Sequence, residues 1–236
     1  MADLSDVLEY DGTKYLEFYE SLTNEDTLNE LHWSAELNSY ADYGYHSPNV
    51  VLRNAPITSQ QRRNPQLPLP EKLRHEETPP KYGFVNMFGY VNLFPVILQV
   101  LQPESIHLET IVKQLDDPKL LWTPHGLRSL AKNAPLYNTR NTEHDPPYWR
   151  GPIWININFM ALKSLNYYSN VNGRAKDISK RIYRQLRDNV IGNVMAQHFK
   201  TGYLWEQYDD TSGNGKGCRP FTGWSSLVVL IMAEEY

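Results

Sequence analysis

Two kinds of apolar segment alternate along the chain. Val91 to Leu101 is apolar all round, with Val91, Leu93, Phe94, Val96, Ile97, Leu98, Val100 and Leu101 leaving no polar face. Ser105 to Leu115 instead places Leu108, Ile111, Val112 and Leu115 at helical spacing on one side. The pair recurs. Pro152 to Tyr168 is apolar on nearly every face, and Ala175 to Phe199 carries Ile178, Ile182, Leu186, Val190 and Val194 on one stripe opposite its charges. Leu227 to Ala233 is again uniformly apolar. A helix apolar all round must be covered on every side, whereas an amphipathic one faces solvent. The alternation therefore predicts an all-α fold with inner helices wrapped by outer ones, the organisation of an α/α barrel. Period-two alternation occurs only in short pieces, which argues against a fold built on a sheet.

Those pieces predict loops at a barrel end, where functional residues concentrate. Leu31 to Tyr43 reads as a hairpin turning at Leu37-Asn38-Ser39, and His198 to Tyr208 as another turning at Thr201-Gly202. Residues 55–81 are polar and carry Pro56, Pro65, Pro68, Pro70, Pro79 and Pro80 without periodicity. They are expected to form a long surface loop. No Gly/Ser linker divides the chain, so residues 1–236 read as one unit.

Composition changes this picture at a few points. A formal net charge of −4 and a pI near 6.0 argue against a nucleic-acid partner held through phosphates. The basic run from Arg174 to Arg187 fits the solvated face of a helix. Sixteen Tyr and six Trp supply flat apolar faces with polar tips, suited to packing or to gripping a sugar ring. Cys218 stands alone, so no internal disulfide can form, and a buried, inert thiol is expected there. The start of the chain lacks the pattern of a signal peptide, and Leu227–Ala233 is far too short to span a bilayer, so a soluble chain is expected. His125, His144 and His198 lack the spacing of a metal site, and no cofactor motif is present.

Two segments carry candidate chemistry. Glu143-His144-Asp145-Pro146-Pro147-Tyr148-Trp149-Arg150-Gly151-Pro152-Ile153-Trp154 packs charge, proline and aromatics directly before an inner helix, with Pro152 suited to that helix's first turn. Trp149 and Trp154 offer faces for sugar C–H bonds, and Arg150 offers five donors. The alternative is that Arg150 pairs with Asp145 or Glu143 to hold the loop, with the tryptophans as packing. The second segment runs from Tyr203-Leu204-Trp205-Glu206-Gln207-Tyr208 through Gly213, Gly215 and Gly217 to Phe221-Thr222-Gly223-Trp224. A carboxylate at Glu206, flanked by Trp205, Gln207 and Tyr208 and followed by Phe221 and Trp224, is the setting a glycosidase needs. Aromatic walls position the ring, amides bind hydroxyls and the carboxylate faces the anomeric carbon or the attacking water. An idle surface glutamate is the competing reading.

At these segments the chain resembles the eukaryotic processing α-glucosidases of glycoside hydrolase family 63. Leu31-His32-Trp33, Ala41-Asp42, Gly89-Tyr90-Val91, Gly126-Leu127-Arg128-Ser129-Leu130, Gly217-Cys218-Arg219-Pro220-Phe221 and the ending Met232 to Tyr236 also match. The resemblance implies an (α/α)6 barrel, of which this chain is the C-terminal portion. It also implies removal of the terminal α-1,2-linked glucose from the triglucosylated N-glycan precursor, with inversion, in the endoplasmic reticulum. The parent would be membrane-anchored and need no cofactor. Glu206 would be the general base, and Tyr148, Trp149, Arg150, Trp154 and Trp224 would line the glucose pocket.

Inversion needs a second, protonated carboxyl group roughly 6.5–9.5 Å from the base. In the family it lies in a stretch resembling Gly-Leu-Asp-Asp-Tyr-Pro, which is absent here, and Met1 to Tyr10 corresponds to a region after it. The isolated chain is therefore expected to be inactive or nearly so, with an upstream part of the same protein completing barrel and site. Two alternatives stay open. One is a carbohydrate-binding fragment without catalysis, the other a related (α/α)6 glucosidase, such as a trehalase or debranching type, acting on another substrate.

Overall fold

A computed structural model of the chain describes Leu8 and residues 11–236. Met1–Tyr10, expected to follow the acid-bearing stretch, thus lies outside the described residues apart from Leu8. Among the described residues are eight α-helices and five two-stranded antiparallel sheets, so helices dominate as the periodicity predicts.

The centre is a helical hairpin, α6 (Ile155–Asn170) and α7 (Lys176–Thr201). Between them Gly173 sits where an added Cβ would lie 2.3 Å from the Pro103 carbonyl oxygen, so only glycine lets the turn close against that loop. Ile182, Leu186, Val190 and Val194 are fully buried, and Arg181 and Arg184 are exposed, which is the amphipathic division expected of an outer helix. Ahead of the hairpin lies α5 (Ile106–Gln114), whose Ser105 cap accepts from the His107 and Leu108 amides and whose Leu108, Ile111 and Val112 join the core. Ser105 also donates to Glu25 at the start of α2 (Glu25–His32), which follows α1 (Thr13–Leu22).

Several expectations need correction. Val91 to Leu101 is no long helix. A 3-10 turn over Tyr90–Leu93 leads into the single-turn α4 (Phe94–Ile97). Gln99 then adopts φ 59°, a left-handed conformation that ends the run four residues after Pro95 entered it. Leu93, Val96 and Ile97 are buried, yet Val91 (49% exposed), Phe94 (40%) and Leu98 (55%) are uncovered. Pro152 does not start the next helix: α6 begins at Ile155, with Trp154 as its cap, and Ile153 is held in extended backbone by Tyr208. The predicted His198–Tyr208 hairpin does not form, because α7 continues through Thr201 and is stopped by Gly202 at φ 76°. The hairpin lies further on, pairing β9 (Gln207–Tyr208) with β10 (Gly215–Lys216). After α8 (Val228–Ala233) the chain ends, with Val228 and Ile231 buried while Val229, Leu230 and Met232 are exposed.

The hairpin near Leu31 forms as β1 (Trp33–Ser34) with β2 (Ser39–Tyr40), with Asn38 at φ 52° in its turn. A further short pair, β7 (Trp122–Thr123) with β8 (Gly126–Leu127), follows α5. The Pro-rich stretch is a surface excursion with more order than expected. β3 (Tyr43–His46) pairs with β6 (Lys81–Phe84), and β4 (Val50–Asn54) with β5 (Lys72–Glu76), making a two-stranded arm. Its far end carries α3 (Ser59–Arg63), closed by a Thr58/Gln61 capping box. No helix among the described residues is long and apolar enough to cross a membrane.

Candidate active site

The two chemistry-bearing segments meet edge to edge. Ile153 donates to the Tyr208 carbonyl at 2.8 Å and Tyr208 donates back to Ile153 at 3.0 Å. This exchange sets the Tyr148–Trp154 loop against β9, the strand that Glu206 directly precedes. The strand is itself pinned from behind: the Glu206 amide donates to the Cys218 carbonyl at 3.1 Å, and the Trp224 indole N–H donates to the Glu206 carbonyl at 2.6 Å.

Glu206 is 7% exposed, its carboxylate held from both sides. The Tyr148 hydroxyl donates to Oε1, and the Cys218 amide donates to Oε2 at 3.0 Å. Burial alone pushes its pKa up, but these two donors and the Cys218 side chain outweigh it and hold the group below the ordinary carboxylate value. The same bond, with burial and the carboxylate charge, pushes Tyr148 up to about 12. Tyr148 stands at φ 32°, an uncommon conformation for an aromatic residue, kept by the surrounding packing. Gly217, at φ 76°, leaves room for the carboxylate, since a Cβ there would lie 2.5 Å from Oε2. The arrangement keeps an ionised carboxylate desolvated and fixed, as a general base requires.

Replacing Tyr148 by Phe removes one donor and should raise the Glu206 pKa. The sign follows from linkage. A depressed carboxyl pKa stabilises the fold above the unfolded value, roughly 4.3, and that contribution is lost as pH falls through the folded value. Tyr148→Phe should therefore narrow the acid-side stability loss attributable to Glu206. Carboxyl-carbon NMR of glutamate-labelled protein, with Glu206→Gln for assignment, measures the titration directly, and an unchanged Glu206 curve would contradict the expectation.

The aromatic residues form one connected wall. Trp149 stacks on Trp154 with ring centroids 3.8 Å apart and planes 13° apart. Tyr148 stands edge-on to Trp154 at 4.8 Å, Trp224 lies 5.6 Å from Trp154, and Phe221 lies 4.7 Å from Trp224. The exposed face belongs to Tyr148 and Trp149, at 41% and 44%; Trp154 is fully buried and backs them. Trp149 and Arg150 also line a cavity of about 440 Å3 on the Tyr90 side, which Glu206 does not reach. Arg150 forms no ion pair with Glu143 or Asp145 and instead turns toward Thr139 at 3.4 Å.

Of the three residues singled out beside Glu206, Gln207 and Tyr208 are buried and Trp205 is partly exposed. Tyr208 is fully buried, its hydroxyl accepting from the Trp205 amide, and Gln207 is 4% exposed. Trp205 packs over Gly215, bonds Thr201 at 3.1 Å through its indole N–H, and carries the Arg219 guanidinium 4.8 Å above its ring. Gln207 lies on the face opposite Glu206, and Tyr208 is buried by its exchange with Ile153. Cys218, expected buried, is exposed, and its role toward Glu206 is through its backbone amide.

Sequence reasoning missed the polar groups that hold the site. Arg128 and Asp210, both almost fully buried, pair at 2.9 Å, and Tyr137 donates to the same carboxylate oxygen at 2.7 Å. Arg128 also donates to the carbonyls of Pro118, Leu120 and Trp122, tying the single loop that leads into β7 to Asp210. Asn158, within the apolar α6 stripe, bonds the backbone of Leu127 in both directions and the Tyr90 hydroxyl. In the sequence Asn158 was only one of several polar residues in a mostly apolar helix.

Comparison with known proteins places the chain in a family. The chain is 44% identical over 215 residues to the mannosyl-oligosaccharide glucosidase GCS1 of Arabidopsis thaliana, a match covering 91% of this chain and 25% of that protein. A probable mannosyl-oligosaccharide glucosidase of Schizosaccharomyces pombe is 44% identical over 149 residues, 63% of this chain and 18% of its own. The chain thus spans about a quarter or less of these relatives. Its fold is similar to that of the GH63 mannosylglycerate hydrolase of Thermus thermophilus solved with glucose (TM-score 0.57, 17% identity, 98% of this chain and 43% of that one). Residues 1–234 match the glycosyl hydrolase family 63 C-terminal domain, and the chain belongs to that family.

Proposed function

We propose that this chain is the C-terminal portion of the catalytic (α/α)6 domain of a mannosyl-oligosaccharide glucosidase. In this reading the α6–α7 hairpin is one inner–outer pair of the barrel. The exposed Val91, Phe94 and Leu98 then mark where further helices of the same protein seat. The reaction is hydrolysis of the terminal α-1,2-linked glucose of the triglucosylated N-glycan precursor, in the endoplasmic reticulum. Glu206 takes a proton from water as its oxygen attacks the anomeric carbon. The C–O bond to the leaving sugar breaks, and a protonated carboxyl group returns a proton to that oxygen, inverting the centre. That acid belongs to a stretch outside these 236 residues, so hydrolysis is expected of the chain joined to it. The observation that carries the reading is the ionised, desolvated Glu206 beside the Tyr148–Trp149–Trp154 wall, in a chain 44% identical to a named glucosidase of this type.

Linkage-defined disaccharides test the substrate: the joined protein should cleave glucose-α-1,2-glucose in preference to α,α-trehalose and α-1,4-linked glucose. Preference for either of the latter two favours a related activity instead. Trp149→Ala removes the exposed stacking face and should weaken glucosylated-oligosaccharide binding by about tenfold or more, given the worth of aromatic contacts. Titration calorimetry on the chain and its variant checks this, and unaltered binding would remove Trp149 from the pocket. Binding by the joined protein without hydrolysis would favour the carbohydrate-binding alternative.

A further inference from the structure

A second cavity, about 320 Å3, lies between the β4–β5 arm and the loop that follows Leu136. Arg74, Arg140 and Arg150 line it together with Asn141 and Thr139, and residues 50–52 and Leu136 form its apolar side. The three arginines come from separate places: Arg74 from β5, Arg140 and Arg150 from either side of the Glu143–Pro147 turn. Each is occupied only by neutral acceptors. Arg74 donates to the Asn141 side chain, Arg140 to the Glu143 carbonyl at 2.8 Å, and Arg150 to Thr139 over long contacts of 3.4 Å. None of the three is within ion-pair distance of a carboxylate among the described residues, although Arg53, Arg128, Arg181 and Arg187 all are. Of the acids close by in sequence, Glu143 directs its carboxylate to the Lys72 amide at 2.8 Å, Glu77 pairs with Arg53, and Glu76, two residues from Arg74 on β5, is not within ion-pair distance of it.

Three like charges around one hollow repel one another, and burial together with the Arg74 charge holds Arg150 below its usual pKa. A guanidinium has five donors in a planar fork, and most of them are unspent here. A single carboxylate would neutralise one of the three cations, whereas a phosphate or sulfate group offers several acceptor oxygens and, for phosphate, close to two charges.

We propose that this cavity is a binding site for a tetrahedral oxyanion, with Arg74, Arg140 and Arg150 as its donors. Leu136 and Arg150 line this cavity and also the one beside Trp149. An oxyanion held here therefore lies next to the saccharide-binding wall, and the ligand class that fits is a saccharide bearing a phosphate or sulfate ester. The proposal does not depend on the role of Glu206.

The test is calorimetric titration of the whole chain with inorganic phosphate at constant ionic strength. One saturable site is expected, weakened about tenfold or more in Arg74→Gln and in Arg140→Gln. Both side chains are exposed, so the variants should keep the fold, which circular dichroism verifies. Arg184→Gln, on the far solvent face of α7, should bind as the parent does, and so should Glu206→Gln. No saturable binding, binding unchanged in both Arg74→Gln and Arg140→Gln, or loss in Arg184→Gln or Glu206→Gln would each overturn the assignment.

Discussion

Glu206→Gln, in the chain joined to its acid-bearing region, should lower turnover by about two to four powers of ten, the usual worth of a positioned acid or base. The amide preserves shape and can still accept one of the two hydrogen bonds from Tyr148 and Cys218, so a neutral monosaccharide inhibitor should bind nearly as before. Loss of kcat with binding retained is the signature of a group acting in the transition state. Steady-state kinetics with an α-1,2-linked substrate, beside inhibitor titration, separates the two effects. A near-normal rate would remove Glu206 from the mechanism, and loss of both would mean that the substitution disturbs the pocket.

The largest expected effect on stability lies behind the site. Asp210→Ala should destabilise the fold by about 3–5 kcal/mol, because it leaves the Arg128 charge buried without its partner. Arg128 and Asp210 expose only 4% and 3% of their side chains, so water cannot replace the lost carboxylate. Tyr137 loses its acceptor as well. Urea unfolding followed by tryptophan fluorescence should show a lower midpoint. A shift under about 1 kcal/mol would show that the pair is dispensable, as exposed pairs usually are.

These two residues differ in what the sequence could offer. Glu206 could be singled out as a candidate because its setting is local: a carboxylate between aromatics, then a glycine-rich turn. Ile182, Leu186, Val190 and Val194 were legible because burial of one helix face imposes a period of 3.6. Asp210 was not, since its partner is Arg128 and no periodicity reports a contact across 82 positions. The β4–β5 arm escaped for a different reason. Every residue of Lys72–Glu76 is exposed, so the strand has no buried face and prints no alternation. Val91–Leu101 misled because apolar composition outlasts the helix: Pro95 permits one turn and Gln99 ends it. Trp205, Gln207 and Tyr208 were placed in the pocket by adjacency to Glu206, but adjacency does not set exposure, and Gln207 and Tyr208 are buried.

The most direct measurement is made on Glu206→Ala in the joined protein, supplied with azide. On the proposed mechanism, shortening the side chain opens the space where the carboxylate would prepare water, and a small anion that needs no deprotonation can attack from there. The account predicts that hydrolysis falls away without azide and that its addition restores turnover, giving β-glucosyl azide from the α-linked substrate. Hydrolysis at the parent rate without azide, or an azide product of retained α configuration, would contradict it.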